Sequence, residues 1–165
     1  MLIIVRSLRE LNFGELMRVY VEGNLENGAE LYADFSENEQ LLRAEADFYT
    51  YLRECFFTVP GAVYAVWEEG GRYICALRLE PWQDGLLLEA LETAPEKRGR
   101  GYAKMLMRAV LDTIPDKTAY SHVSKKNTAS LAVHAACGFE RILEHALCAD
   151  GSVMTNLCTL RWTGQ

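Results

Sequence analysis

Arg98-Gly99-Arg100-Gly101-Tyr102-Ala103 lies between an apolar run that ends in Thr93-Ala94-Pro95 and the start of a helical pattern. Two glycines let the backbone bend sharply and approach a ligand closely. A helix that starts at such a bend turns unpaired N–H groups and the positive end of its dipole toward an anion. The stretch therefore reads as a phosphate cradle. Leu86 to Thr93, bounded by Gly85 and Pro95, predicts a buried strand before it. After it, Ala103, Leu106, Met107, Val110, Leu111 and Ile114 recur at helical spacing, with Lys104, Arg108 and Asp112 on the other side. Strand, glycine turn and helix follow in the order a phosphate site needs. Rival phosphate motifs lack their context: there is no Gly-x-x-x-x-Gly-Lys-Ser/Thr, and a dinucleotide fingerprint needs a third glycine and a following acid.

Outward from this stretch, the chain alternates strand and helix signals. Leu2 to Val5 predicts a short strand. A helix beginning within Arg6 to Glu10 carries Leu16, Val19, Tyr20 and Gly23 on one side and is expected to end within Asn24 to Gly28. Glu22, Glu26, Glu30 and Asp34 fall in a region of weak periodicity, a loop or a broken helix. Ser36-Glu37-Asn38-Glu39 is a capping box before a long helix with Leu41, Phe48, Leu52, Cys55 and Phe56, stopped by Pro60-Gly61. Val63 to Glu68 and Arg72 to Glu80, about Glu69-Gly70-Gly71, predict a hairpin. Beyond the amphipathic helix, Thr118 to Val123 predicts a strand. Asn127 to Cys137 predicts a helix with Leu131 and Ala135 inward, closed by Gly138. Phe139 to Ala146 and Val153 to Trp162 predict a last hairpin about Asp150-Gly151.

The chain's 165 residues, half of them hydrophobic, suffice for one sizeable core, so residues 1–165 are expected to form a single domain. No apolar run has the length of a membrane span, and Met1 to Glu10 lacks the shape of a secretion signal, so a cytoplasmic protein with no membrane partner is expected. Five cysteines without a Cys-x-x-Cys support neither a disulfide frame nor zinc, and reduced core residues are expected. His122, His134 and His145 match no standard ligand spacing, so no metal is expected. The net charge of −6 and the lack of interleaved aromatics disfavour nucleic acid. Charge is unevenly spread: residues 1–60 carry eleven acids and five bases, whereas residues 96–126 carry eight bases and three acids. An anionic cofactor on the basic side and a cationic acceptor on the acidic side fit that split.

A second motif follows, Asn127-Thr128-Ala129-Ser130-Leu131-Ala132-Val133-His134-Ala135-Ala136-Cys137-Gly138-Phe139. The first motif resembles the Gln/Arg-x-x-Gly-x-Gly/Ala loop of the Gcn5-related N-acetyltransferases (GNAT). The second is similar to that family's Asn-x-x-Ala/Ser-x-x-Leu-Tyr-x-x-x-Gly-Phe, with Asn127, Ser130, Val133, Gly138 and Phe139 matching and His134 in place of the Tyr. The resemblance covers nearly the whole chain, since the element order β-α-α-β-β-β-α-β-α-β-β is the family's. It implies an α+β fold: a mixed, largely antiparallel sheet of six to seven strands with about four helices on both faces.

The same resemblance implies acetyl-CoA as co-substrate and transfer of its acetyl group to a primary amine of a small molecule or peptide by direct attack. A non-catalytic acyl-CoA-binding or regulatory module is the alternative that the missing Tyr motivates. Cofactor contacts are implied at Leu91 and Thr93, at Arg98, Gly99, Arg100, Gly101, Tyr102 and Ala103, and at Asn127 and Ser130. Backbone N–H groups near Leu91 to Thr93 are expected to polarise the thioester, and Lys97, Arg100 and Lys104 to lie near the 3′-phosphate. His134 is the candidate acid toward the leaving sulfur. His122, on one strand face with Tyr120, is a candidate base, as are Glu89 and then Glu92. A homodimer is compatible with the last hairpin supplying an edge.

Overall fold

The computed structural model describes residues 1–148 and 151–164. Its elements in chain order are β1 (Leu2–Val5), α1 (Phe13–Val19), α2 (Val21–Leu31), α3 (Glu37–Glu54), β2 (Val63–Glu69), β3 (Arg72–Trp82), β4 (Gly85–Thr93), α4 (Tyr102–Leu111), β5 (Thr118–Ser124), α5 (Thr128–Ala136), β6 (Glu140–Leu143), β7 (Ala146–Leu147), β8 (Val153–Met154) and β9 (Leu157–Thr163). Seven strands form one sheet in the order β1-β2-β3-β4-β5-β9-β6, and β7 and β8 pair apart from it. Every pairing in the sheet is antiparallel except β4 with β5. Those two parallel strands need a crossover, which the glycine turn and α4 supply.

Alternation along β2 and β3 sends side chains to two cores. Ala65, Cys75, Leu77 and Leu79 join Leu88, Leu106, Met107 and Val110 under α4, on one face. Tyr64, Val66 and Ala76 join Leu16, Leu52 and Phe56 under the first three helices, on the other. Leu16, Leu52, Leu77 and Leu106 are wholly buried, each contributing about 1.5–3 kcal/mol of transfer free energy. The capping box is present as expected: Glu39 accepts from the Ser36 N–H at 3.2 Å and from its hydroxyl at 2.6 Å, and α3 begins there.

Four expectations need correction. Residues 24–28 do not end a helix but lie inside α2, and Glu22, Glu26 and Glu30 belong to it as well, whereas Asp34 lies in the turn after it. The small residues there serve helix packing: a Cβ on Gly28 would come within 2.6 Å of the Gln40 carbonyl oxygen, so α3 crosses α2 with no space for a side chain. Five α-helices stand where about four were expected. In α5 Leu131 packs against the core as expected, but the buried residue is His134, and Ala135 is exposed. The last hairpin is interrupted: β6 pairs with β9, with the β7–β8 ribbon between them. Of the turn residues expected there, Gly151 has φ +82° and Asp150 lies outside the described residues. Among the cysteines, Cys75, Cys137 and Cys158 are buried, whereas Cys55 is exposed and Cys148 is half-buried.

Candidate active site

β4 and β5 pair only at Leu86 with Ala119 and Leu87 with Tyr120, then separate. The closed end is held by Gly85, where a Cβ would stand 2.2 Å from the Thr118 carbonyl oxygen. Past Leu87, the β4 edge that faces β5 has no partner strand, and a gap of about 170 Å³ opens between residues 88–91 and 121–124. A larger groove of about 430 Å³ lies at its wide end, between residues 91–93, the glycine turn and the start of α5.

The turn is built for an anion. Gly99 and Gly101 have φ of +72° and +82°, conformations that exclude most side chains, and nothing lies within 4 Å of where either Cβ would be. The Arg98 N–H donates to Pro95 and the Met105 N–H to Gly101, but the amides of residues 99–104 between them find no acceptor among the described residues. No side chain caps α4. Consecutive free amides at a helix start, over open space, are the donor set a diphosphate requires.

Two side chains of this motif turn inward instead. The Arg98 guanidinium donates to the Thr93 carbonyl at 3.2 Å, to Glu22 at 2.5 Å and to Glu92 at 3.0 Å, tying the turn to β4 and α2. The Tyr102 hydroxyl donates to Glu69 at 2.9 Å. Both residues thus offer the groove main chain more than side chain. Lys97 and Lys104 line the groove, and Arg100 is exposed beside it.

An extra residue in β4 resolves which glutamates face the gap. Ala76 lies opposite Glu92 and Arg78 opposite Glu89, so three β4 residues span two of β3, and Ala90 takes a φ of +51°. The bulge sends both glutamates to the same face, since Ala76 and Arg78 share one. Their surroundings differ. Glu92 is paired with Arg98 in the larger groove, while Glu89 lines the gap together with His122. The Tyr20 hydroxyl donates to the Ala90 carbonyl at 2.5 Å and so holds the bulge from α2's first turn. Tyr20 has no signal in the sequence beyond its place on an apolar helix face.

On β5, His122 packs edge-on against Trp82, ring centroids 5.2 Å apart, and Tyr120 does the same at 4.8 Å, which places both on the face expected. His122 Nε2 is buried without a hydrogen-bond partner. Burial pulls its pKa below 6.5, and the Glu89 charge opposes that shift. It is a neutral imidazole with an unused nitrogen in the gap.

His134 is differently placed. Only 1% exposed, it has Nδ1 2.8 Å from the Ser130 carbonyl oxygen and Nε2 2.9 Å from the Ser121 hydroxyl. A carbonyl can only accept, so Nδ1 carries the proton and Nε2 accepts from Ser121. Burial lowers its pKa below 6.5 as well, and the ring lies edge-on to Phe139. Asn127 caps α5 by accepting from the Ser130 N–H at 3.0 Å, which leaves its amide NH₂ for a ligand. Asn127, Ser130 and Leu91 line both groove and gap, so the two are continuous.

Ala90 also lines a second cavity, a chamber of about 340 Å³ between α2, α3 and β3. Tyr20, Phe48 and Tyr51 line it, and Arg78 supplies a cation. Arg78 donates to one oxygen of Glu89 at 3.3 and 3.4 Å, and its guanidinium carbon lies 4.9 Å from the centre of the Tyr51 ring. Two acids of the N-terminal region are engaged elsewhere: Glu15 with Arg18 and Arg72, Glu22 with Arg98. Arg78 was legible as a charge between Leu77 and Leu79, but nothing in the sequence shows that it lies in a cavity.

No metal-binding group of histidine, cysteine or acidic residues occurs among the described residues, and no helix is long and apolar enough to cross a membrane.

Comparisons with known proteins agree with this geometry. In fold the chain is similar to the PaiA N-acetyltransferase of Thermoplasma acidophilum, solved in complex with coenzyme A, at 12% identity over 99% of each chain and a TM-score of 0.62. It is similar to the ribosomal-protein-S18-alanine N-acetyltransferase of Escherichia coli at 15% identity, over 98% of this chain and 92% of that one, with a TM-score of 0.58. A mutant of the spermidine N-acetyltransferase of Vibrio cholerae shares 19% identity over 99% of this chain and 94% of its own, also with a TM-score of 0.58. No curated protein matches the sequence. The model of the Acetyltransferase (GNAT) family matches residues 28–139, more than half of the chain and both motifs, and the chain belongs to that family.

Proposed function

We propose that the protein is an acetyl-CoA-dependent N-acetyltransferase that acetylates a primary amine of a small molecule or peptide by direct attack. The observation that carries this reading is the run of acceptor-less amides at residues 99–104, beside a strand edge that β5 leaves free. Acetyl-CoA is a substrate here. Its diphosphate is assigned to those amides, its pantetheine arm to the β4 edge at Leu91 and Thr93 and to the Asn127 amide, and its thioester to the gap.

In the proposed reaction the amine nitrogen forms a bond to the thioester carbonyl carbon, the carbon–sulfur bond breaks, and the sulfur leaves as thiolate. The proton lost by the amine goes to His122 Nε2, which burial keeps free of a proton at neutral pH. The neighbouring Glu89 carboxylate stabilises the imidazolium so formed. Backbone N–H groups near Leu91 to Thr93 are assigned the developing negative charge on the carbonyl oxygen. His134 gives no proton in this scheme, because its one N–H is bound to the Ser130 carbonyl. It is a positioning residue for Ser121 and Ser130, and the thiolate is protonated by water.

The test is thiol release from acetyl-CoA by the purified chain over a broad amine panel. Turnover with at least one amine, lost in His122→Gln, is expected. Acetyl-CoA binding without turnover on any amine would leave the non-catalytic module instead.

A further inference from the structure

The chamber beyond Ala90 bears on the acceptor, which sequence charge alone painted as a cation. Its buried cation, Arg78, has a side chain only 19% exposed. Guanidinium carries five N–H donors and stays charged at any physiological pH. Here Nε and Nη2 share a single oxygen of Glu89 at 3.4 and 3.3 Å, and Nη1 has no hydrogen bond among the described residues. Nη1 is not among the buried polar atoms without a partner, so a ligand in the chamber can replace water on it. Directly across the β2–β3 ladder, the hydroxyl of Tyr64 is buried beside Tyr20. The Tyr51 ring lies against the guanidinium.

We propose, resting on the transferase reading above, that the acceptor is an α-amino acid with an apolar or aromatic side chain, its carboxylate held by Arg78. The spacing carries the argument. Arg78 and Glu89 are adjacent, 3.3 Å apart, and an α-amino acid separates its ammonium from its carboxylate by a single carbon. With the carboxylate on the free side of Arg78, the amine lies beside Glu89 and His122, in the gap where the thioester is assigned. The side chain then enters the chamber between Tyr20, Phe48 and Tyr51. A polyamine fits poorly, because its second cation would be brought against Arg78. Asp47, the acid that lines the chamber, already accepts from the Tyr32 hydroxyl at 2.5 Å.

The experiment compares phenylalanine with phenylalaninamide and phenethylamine, which keep the amine and the ring but mask or lack the carboxylate, and with spermidine. Two readouts on the full chain are used: thiol release from acetyl-CoA, and thermal stabilisation by each compound in the presence of CoA. A kcat/KM for phenylalanine at least about 30-fold above both analogues is expected, as for one charge-assisted bidentate contact. In Arg78→Gln that ratio should collapse to within about threefold of one, the loss falling on the amino acid. The wild-type comparison stands even if this variant folds poorly. Equal or better use of phenethylamine or spermidine would overturn the proposal while leaving the transferase reading intact. Carboxylate-dependent stabilisation without thiol release would support the pocket and sink the transferase reading. Absence of stabilisation and of turnover with all the amino acids tried, leucine and tryptophan included, would overturn the proposal.

Discussion

The two sides of the β4–β5 gap are made of different material. On the proposed cofactor side, what is offered is main chain: consecutive amides of residues 99–104, set by two glycines within a short stretch of sequence. On the proposed acceptor side it is side chain: Tyr20 from the junction of α1 and α2, Phe48 and Tyr51 from α3, Arg78 from β3 and His122 from β5. A backbone site depends on local conformation, which neighbouring residues dictate. A side-chain site depends on which distant elements the fold brings together, and its chemistry can change without disturbing the backbone site.

The sharpest way to break the contrast is to spoil the backbone side with one local change. Gly101→Val forces a β-branched residue to a φ of +82° and fills the open space above the amides. Affinity for CoA, measured by calorimetry, should fall at least about 100-fold, a loss comparable to several charge-assisted bonds. Arg100→Ala, which leaves the amides untouched, should cost less than about tenfold, in keeping with a solvated contact. Equal losses would mean that side chains, not amides, hold the phosphates.

On the acceptor side, His122→Gln keeps a polar group of similar reach but removes the base, and kcat should fall by about 10²–10⁴ with CoA affinity unchanged. The pH profile gives the sign. Because burial depresses the His122 pKa below 6.5, the free base persists into mildly acidic solution, and kcat/KM should fall only as pH drops through that lowered value. A limb centred above 6.5 would exclude His122 and point to the amine's own deprotonation.

His134 separates catalysis from stability. His134→Ala removes a buried ring and leaves the Ser121 hydroxyl without its acceptor, which should cost about 2–4 kcal/mol by denaturant unfolding. The linkage runs the same way as for His122. A histidine with a depressed folded pKa takes up its proton more readily when unfolded, so its neutral form stabilises the fold above pH 6.5, and that contribution is lost as pH falls toward the folded value. The variant should therefore lose stability less steeply than the wild type between pH 6.5 and that lower value. If instead the variant folds normally and its kcat alone falls, His134 is an acid after all.

The same division explains how much was legible. The glycine turn and the capping box at Ser36 are local patterns set by near neighbours in the chain, and each stands where the sequence predicts it. Choosing between Glu89 and Glu92 was impossible from spacing, because the bulge at Ala90 shifts parity and is held by Tyr20, far away in the chain. Charge in the acidic half is harder to read for a related reason. Formal charges count equally in a sequence, but Glu15 and Glu22 are neutralised by arginines that only the fold brings near, while Arg78 is carried into the cavity. Residues 24–28 looked like a helix end because Gly and Asn lower helix propensity, yet contact with α3 outweighed it.

That last contact yields the smallest expected effect and the finest test of the comparison. Gly28→Ala gains helix propensity, about 1 kcal/mol, because the residue has helical backbone and no positive φ. Against this, its Cβ would meet the Gln40 carbonyl at 2.6 Å, backbone that cannot swing aside, and such overpacking costs about 1–3 kcal/mol. The net should be a loss of about 0–2 kcal/mol, read as a modest fall in Tm. Relief of the clash requires α3 to move off α2, and α3 carries Phe48 and Tyr51 into the chamber. KM for the acceptor should therefore rise while CoA affinity stays put, since the amides at residues 99–104 hang on β4 and α4. A parallel loss of CoA affinity would show that the two sides are mechanically one, and that the separation drawn between backbone site and side-chain site does not hold.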